Sequence, residues 1–367
     1  MHAAISQFQE QIQSAITNQS TINITGGNTK HWYGDIAHGI TLNTSSYQGI
    51  LDYQAEELVI TVCAGTPLKE VESTLAKKNQ YFAFDPPHFG PGATIGGMIA
   101  AGLAGPGRGQ YGGLRDYVLG IKIMDGRGEI LSFGGKVMKN VAGYDVSRLL
   151  PGSLGTIALL LEVSIKVLPR PSKTQTLQFH IPQAQAIVQM NTWASQPLPL
   201  SASAWIGNSS EGQLWMRLSG ANAAVEAAII KMNQHVSGHI VPEDEAATFW
   251  ESIKEQQHSF FTGSDDPLWR FAIEPLSAPL PLENPTLIEW YAGQRWVKGP
   301  LLESQAQQMA QQYGGHATLF RGEKLKNTSV FTPLSFNPLT APLEIIQQRI
   351  RQTFDPHGIF NTGRMPY

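Results

Sequence analysis

Cysteine is nearly missing from this sequence: Cys63 stands alone among 367 residues. One thiol closes no internal disulfide and cannot ligate an iron–sulfur cluster, which fits a reducing compartment and leaves one-electron metal chemistry to another chain. Charge is scarce too, at 15% of residues against about 25% in ordinary globular chains. The 26 basic and 29 acidic residues nearly cancel, so no global positive field is available for nucleic acid or an acidic membrane face. The most apolar stretch, 157–168, is broken by Glu162, Ser164 and Lys166, well short of the roughly 20 residues of a membrane helix. From Met1 to Ser20 the chain is polar and Gln-rich, with neither the basic start nor the apolar block of a signal peptide. The expected location is the cytoplasm.

Glycine and proline are plentiful, at 36 and 23, so turns and backbone-lined surfaces abound, and the length suits two or three domains. Between Ser20 and Pro171, short β-branched runs alternate with glycine clusters. Expected strands are Ile22 to Thr25, Ile50 to Tyr53 paired with Leu58 to Ala64, the hairpin Val118 to Met124 and Glu129 to Phe133, and Ile157 to Leu168. Thr66-Pro67 reads as an N-cap and first helical residue, Thr94 opens a second helix, and Asp145 to Leu150 forms a short third. Leu168-Pro169-Arg170-Pro171 closes this half. Strand-like pieces at Ser172–Phe179, Ala202–Ile206, Gln213–Leu218, Leu287–Tyr291 and Ala317–Phe320 predict a small antiparallel sheet covered by helices. The reading is therefore a first domain at 1–171, a cap domain at 172–326, and a linker with a C-terminal segment at 327–367 that returns to the first domain.

Three loops concentrate hydrogen-bonding backbone. In Gly26-Gly27-Asn28-Thr29-Lys30 a strand empties into residues that tolerate positive φ, the making of an anion nest. From Pro86 to Gly102, Thr94-Ile95-Gly96-Gly97 starts a helix without side-chain bulk, where unpaired amides and the dipole suit a pyrophosphate. Lys139 to Thr156 is polar yet flanked by apolar strands. Each loop alone is compatible with an ordinary turn or tight packing; together they fit one long phosphate-bearing ligand.

Other chemistries fail on spacing. Gly105-Pro106-Gly107-Arg108-Gly109 follows a helix and opens none, so it is no Rossmann fingerprint. Gly134-Gly135-Lys136 lacks the upstream glycine of a P-loop, and Ser153 lacks the glycine two positions earlier that a nucleophile elbow needs. His235 and His239 are separated by Ser237-Gly238, which breaks the helix that would align them on zinc. No metal site is expected, and Cys63 reads as a core residue.

At these loops the sequence resembles the vanillyl-alcohol oxidase superfamily, whose FAD-binding domain is called PCMH-type. Gly26-Gly27-Asn28-Thr29 resembles its pyrophosphate loop, Thr94 to Ala100 its second FAD loop, and Gly152-Ser153-Leu154-Gly155-Thr156 its G-S-x-G-T segment. The tail from Phe354 to Arg364 resembles the terminal D-P-x-x-x-x-N-P-G-K. Gly112 to Gly120 and Lys139 to Arg148 most resemble the FAD-binding E subunits of bacterial glycolate oxidase complexes. The sequence departs from the superfamily at Leu154, where glutamate is common, at Ala158 for glycine and at Thr362 for proline. It also has no counterpart of the H-G-D-G-N-x-H motif of self-sufficient D-2-hydroxyacid dehydrogenases; Gly314-Gly315-His316-Ala317 is the nearest string.

The resemblance implies an α+β fold: a two-subdomain PCMH-type FAD-binding fold, a smaller α/β cap domain and the returning C-terminal segment. It implies a cofactor set of Gly26, Gly27, Asn28, Thr29, Lys30, Pro86, Thr94, Ile95, Gly96, Gly97, Ala100, Gly143, Tyr144, Gly152, Ser153, Gly155, Thr156, Ile157 and Asn361. The amides of Gly26 to Thr29 and of Gly96-Gly97 are expected to hold the pyrophosphate without an arginine clamp. Lys30, Arg115, Lys139 and Arg148 are candidates for phosphate or flavin carbonyls, Tyr144 for the flavin face, and Asp116 for holding its loop. Asn28 and Cys63 fit neither covalent attachment known in the superfamily, so FAD is expected to be dissociable. The implied function is that of the FAD-binding subunit in an oxidoreductase that converts glycolate to glyoxylate and transfers electrons within a complex. Its implied partners are a second flavin-bearing subunit and an iron–sulfur subunit, with any membrane contact peripheral. Two further readings stay open: a self-sufficient dehydrogenase of a small 2-hydroxyacid, and a scaffold that keeps the fold without catalysis. No catalytic side chain is assigned.

Overall fold

The computed structural model describes residues 2–135, 145–234, 236–322, 336 and 339–365. The chain forms two compact units, one of Met1–Leu103, Gly113–Arg170 and Pro338–Tyr367, the other of Ala104–Gly112 and Pro171–Asn337. The placing of Ala104–Gly112 corrects the continuous first domain read from the sequence. There the aromatic ring of Trp290 lies 4.4 Å under the Arg108 guanidinium and its indole N–H donates to the Gly105 carbonyl at 3.0 Å.

In the first unit, an antiparallel five-stranded sheet runs in the order Ile50–Gln54, Val59–Cys63, Leu159–Lys166, Val118–Met124, Ile130–Gly134. Beside it, Ile22–Thr25 pairs in parallel with Ile40–Asn43. The Gln-rich N-terminus is the helix His2–Thr17, and its apolar spacing of Ala4, Phe8, Ile12 and Ala15 makes one buried face. That face packs on Ile22, Leu42, Leu161, Ile359 and Phe360, so the core joins the two ends of the chain. Thr66 does not cap the next helix: Pro67 occupies the N-cap of Leu68–Ala76, and the Thr66 hydroxyl donates to the Cys63 carbonyl at 2.7 Å. Thr94 does cap its helix, Ile95–Ala101, and Gly102 ends it at φ 62°. The short third helix is a 3-10 turn, Val146–Leu149.

After the helix Ala341–Phe354 the tail turns on Asp355, whose carboxylate accepts from the amides of Ile359 and Phe360. Residues 359–361 then lie along Ile22, which donates to the Ile359 carbonyl and accepts from the Asn361 amide.

The sheet of the second unit is larger than the sequence reading. Eight antiparallel strands stand in the order His239–Val241, Lys173–His180, Gly212–Gly220, Leu200–Gly207, Thr286–Glu289, Gln294–Lys298, Leu268–Ala272, His316–Arg321. The strand expected over Leu287–Tyr291 stops at Glu289, because Trp290, Tyr291 and Ala292 turn left-handed at φ 54°, 55° and 73°. One core gathers Leu177, Phe179, Trp193, Trp205, Leu214 and Met216 around the helices Gln183–Ala194 and Asn222–Asn233. A second holds Trp269, Phe271 and Val297 under Glu303–Gln312.

Candidate functional site

The three loops and the tail meet in a cleft of the first unit with about 860 Å³ of empty space, its open mouth included. Gly26, Gly27, Asn28, Thr29, Lys30, Thr94, Gly96, Gly97, Ala100, Ser153, Gly155 and Asn361 line it as the sequence reading places them. Pro86, Ile95, Gly152, Thr156 and Ile157 do not line it; Ile95 and Thr156 are fully buried in the structure behind it. Gly143, Tyr144, Lys139 and His235 lie outside the described residues. The expected cofactor set left out Ile24, Thr25, His31, Thr44, Ala64, Ile99, Ala101, Leu150, Leu154, Ala158, Leu160 and Arg364 of the wall. Of these, Arg364 had a readable signal, since it closes the tail motif after Asn361.

Close packing of backbone explains the glycines. A β-carbon on Gly27 would stand 1.4 Å from the Gly92 carbonyl oxygen, and one on Gly96 2.9 Å from the β-carbon and carbonyl oxygen of Ala64. Neither Gly26 nor Gly27 is left-handed; the positive φ of the first loop belongs to Asn28, at 57°. Among the described residues, no protein acceptor meets the amides of Gly26 to Thr29. Those of the second loop are taken: Ile95 donates to the Thr66 carbonyl at 2.9 Å, Gly96 to the Ala64 carbonyl at 2.7 Å, and Gly97 to the Thr94 hydroxyl at 3.1 Å. The expectation that Gly96-Gly97 amides hold an anion is therefore corrected, because that helix start is already closed by protein acceptors.

Asn361 ties the loops together. It is 2% exposed, its side-chain oxygen accepts from the Ile24 amide at 2.7 Å, and its side-chain nitrogen donates to the Leu154 carbonyl at 2.6 Å. Leu154, at φ 50°, also donates its amide to the Ala100 carbonyl at 2.9 Å, which seats the third loop on the second.

Two cations line the cleft, and no Asp or Glu does among the described residues. Lys30, 8% exposed, donates from Nζ to the His88 carbonyl at 2.9 Å and lies 5.5 Å from the Phe89 ring centre. Arg364 donates from Nη2 to the Lys30 carbonyl at 3.1 Å and the Tyr33 carbonyl at 3.3 Å. Arg364 is thus an arginine in the wall that the expected cofactor set did not include. The other candidates lie elsewhere: Arg115 is exposed, Arg148 pairs with Asp145 at 2.9 Å, and Asp116 accepts from the Gly113 amide at 2.9 Å and so holds its own loop. Cys63 is wholly buried, and burial pushes its thiol up to about 11. Among the described residues no group of His, Cys, Asp and Glu is placed to hold a metal ion, and no helix is long and apolar enough to cross a membrane.

Among the described residues the donor set, first-loop amides without a protein acceptor beside cationic side chains and no acid, suits a diphosphate, and the apolar wall of Ile24, Ile99, Leu154 and Leu160 suits a ring system. A family described as FAD binding domain matches residues 3–134, which contain the first two loops. The chain is 41% identical over 357 residues to the glycolate oxidase subunit GlcE of Escherichia coli (strain K12), covering 97% of this chain and 95% of that one. It is 34% identical over 139 residues to the glycolate oxidase subunit GlcD of Bacillus subtilis (strain 168), covering 38% of this chain and 29% of that one. A solved alkyldihydroxyacetonephosphate synthase shares the fold with a TM-score of 0.66 at 14% identity, over 96% of this chain and 74% of that one. The matches indicate FAD as the cofactor of the cleft-bearing unit.

Proposed function

The chain belongs to the family of the glycolate oxidase subunit GlcE, within the PCMH-type FAD-binding superfamily, and from that premise we propose that it is an FAD-bearing subunit of a glycolate-oxidising complex. The observation that carries this reading is the match to GlcE along nearly the whole length of both chains. The complex joins it to a second flavin-bearing subunit and to an iron–sulfur subunit, in the cytoplasm or peripherally on a membrane.

Bound FAD supplies the two-electron chemistry that turns glycolate into glyoxylate. The chain's own residues bind and orient it. The amides of Gly26 to Thr29 offer oriented donors, Thr94 caps the helix of the second loop, Asn361 holds the first and third loops in register, and the apolar wall would exclude water from the ring system. The FAD is dissociable: Asn28 stands where covalently linked members carry a first-loop histidine, and Cys63 is not in the cleft wall.

Purification of the chain from its host, followed by flavin, iron and partner analysis, tests the reading. We expect FAD that is released into the supernatant on acid precipitation, together with an iron–sulfur chain and a second flavoprotein. Deflavinated chain that cannot rebind FAD defeats the proposal. Sustained reduction of its flavin by glycolate in the isolated chain would replace it with a self-sufficient dehydrogenase.

A further inference from the structure

Among the described residues, Arg364 is a cation in the cleft wall with no anionic partner. Its Nη2 bonds go to the neutral carbonyls of Lys30, Tyr33 and, at 3.5 Å, His31. Its Nε is buried and has no acceptor among the described residues. No described carboxylate lies within ion-pairing distance of it. Burial alone accounts for the fall in its pKa, with no acid opposing that fall. Carbonyl oxygens satisfy N–H groups but leave the charge uncompensated, and an unpaired charge withdrawn from water is expensive.

The rest of the cleft sharpens the need. Among the described residues, no acidic side chain lines it. The start of the helix Ile95–Ala101 is closed by the Thr66 and Ala64 carbonyls and the Thr94 hydroxyl, so it offers no free donors to an anion. Lys30 directs its amine to the His88 carbonyl. What remains open is the row of first-loop amides, and Arg364 is bonded to the carbonyls of the residues that follow that row.

We propose that Arg364 supplies the positive charge that binds the diphosphate bridge of the dinucleotide, an assignment that rests on FAD being the ligand of this cleft. A guanidinium delivers several charge-assisted donors in one plane and suits a diphosphate better than an amine does. The tail thus has two tasks: Asn361 sets the loops, and Arg364 neutralises what they hold.

The test uses deflavinated full chain and two ligands, FAD and riboflavin, which share the ring system but not the diphosphate. Binding is read from flavin fluorescence at low and high salt. Arg364→Gln keeps an amide donor for the loop carbonyls and removes the charge. It is expected to weaken FAD roughly 10- to 100-fold, leave riboflavin within about twofold of wild type, and flatten the salt dependence of FAD binding. Arg364→Lys is expected to recover part of the loss. Equal weakening of both ligands, or unchanged FAD affinity, overturns the assignment. Should the Gln variant not fold, wild-type chain melted with inorganic pyrophosphate at low salt decides: a rise in melting temperature supports the site and no rise overturns it. Wild-type chain that binds neither flavin refutes the FAD reading itself, a separate outcome.

Discussion

A methyl group on Gly27 would collide with the backbone of Gly92, 1.4 Å away, whereas one on Gly97 meets only the Thr94 hydroxyl at 3.2 Å. Gly27→Ala must push two loops apart, so we expect a loss of about 3 kcal/mol or more, read as a drop in melting temperature of roughly 6–12 °C. Gly97→Ala gains up to about 1 kcal/mol of helix propensity against a contact one hydroxyl can relieve, and should melt close to wild type. Equal drops would contradict the packing account. At Asn361 the argument concerns hydrogen bonds. Asn361→Ala leaves the Ile24 amide and the Leu154 carbonyl without partners, at about 1–3 kcal/mol for each buried group. Asn361→Asp keeps the acceptor for Ile24 and sets an anion against the Leu154 carbonyl. Both variants should lower the urea midpoint and release FAD; a midpoint like that of wild type would remove Asn361 from its linking role.

His258 shows how one residue sets the pH response of an element. Its Nδ1 accepts the Phe260 amide at 3.1 Å and so caps the short helix Ser259–Thr262; a protonated ring cannot accept that bond. Burial holds its pKa below the ordinary value of about 6.5. The stability due to the neutral ring is therefore complete above about pH 6.5 and is lost as pH falls through the lower folded value, with a slope of at most about 1.4 kcal/mol per pH unit. Urea midpoints between pH 7.5 and 5, followed by tryptophan fluorescence, should fall in wild type and fall less in His258→Asn, which keeps a cap that does not titrate in this range. Equal slopes would exclude the cap as their source. Strands were legible where β-branched residues alternate, as in Ile22–Thr25 and Val118–Met124. Gln294–Lys298 was not, because Arg295 and Lys298 read as surface although the strand is wholly buried. The Arg295 guanidinium donates to the Ala278 carbonyl at 2.5 Å and the Ser277 carbonyl at 2.6 Å, partners that arrive from outside the strand and leave no mark on its pattern. The loop glycines were legible as a convergent set, but whether an amide faces a ligand or a neighbouring carbonyl depends on the third dimension, and Gly96 fell on the other side of that choice.

The same limit acts at the scale of the chain. Ala104–Gly112 joins the second unit although sequence neighbours on both sides belong to the first, and its Gly-Pro-rich run, Gly105 to Gly109, marks a turn without telling which unit it joins. Among the described residues, one core of the first unit forms around Ile12, Leu161 and Phe360, and two of the second around Trp205 and Trp269. The units differ in their reporters as well. Cys63, fully buried, lies in the first unit with Trp32; Trp193, Trp205, Trp215, Trp250, Trp269, Trp290 and Trp296 all lie in the second. Thiol labelling therefore follows opening of the cleft-bearing unit, while tryptophan emission, seven of eight indoles being in the other, follows mainly that one. A ligand that binds only the folded first unit stabilises it by about 2.7 kcal/mol at a hundred times its dissociation constant. FAD at that level should raise the midpoint of Cys63 labelling in a thermal ramp by roughly 5–11 °C and move the tryptophan transition less. If both probes shift together by the same amount, the chain unfolds as one cooperative body and its separate cores do not act as separate folding units. If only the tryptophan transition moves, FAD binds the second unit, and the cleft between the first loop and the tail is not its site.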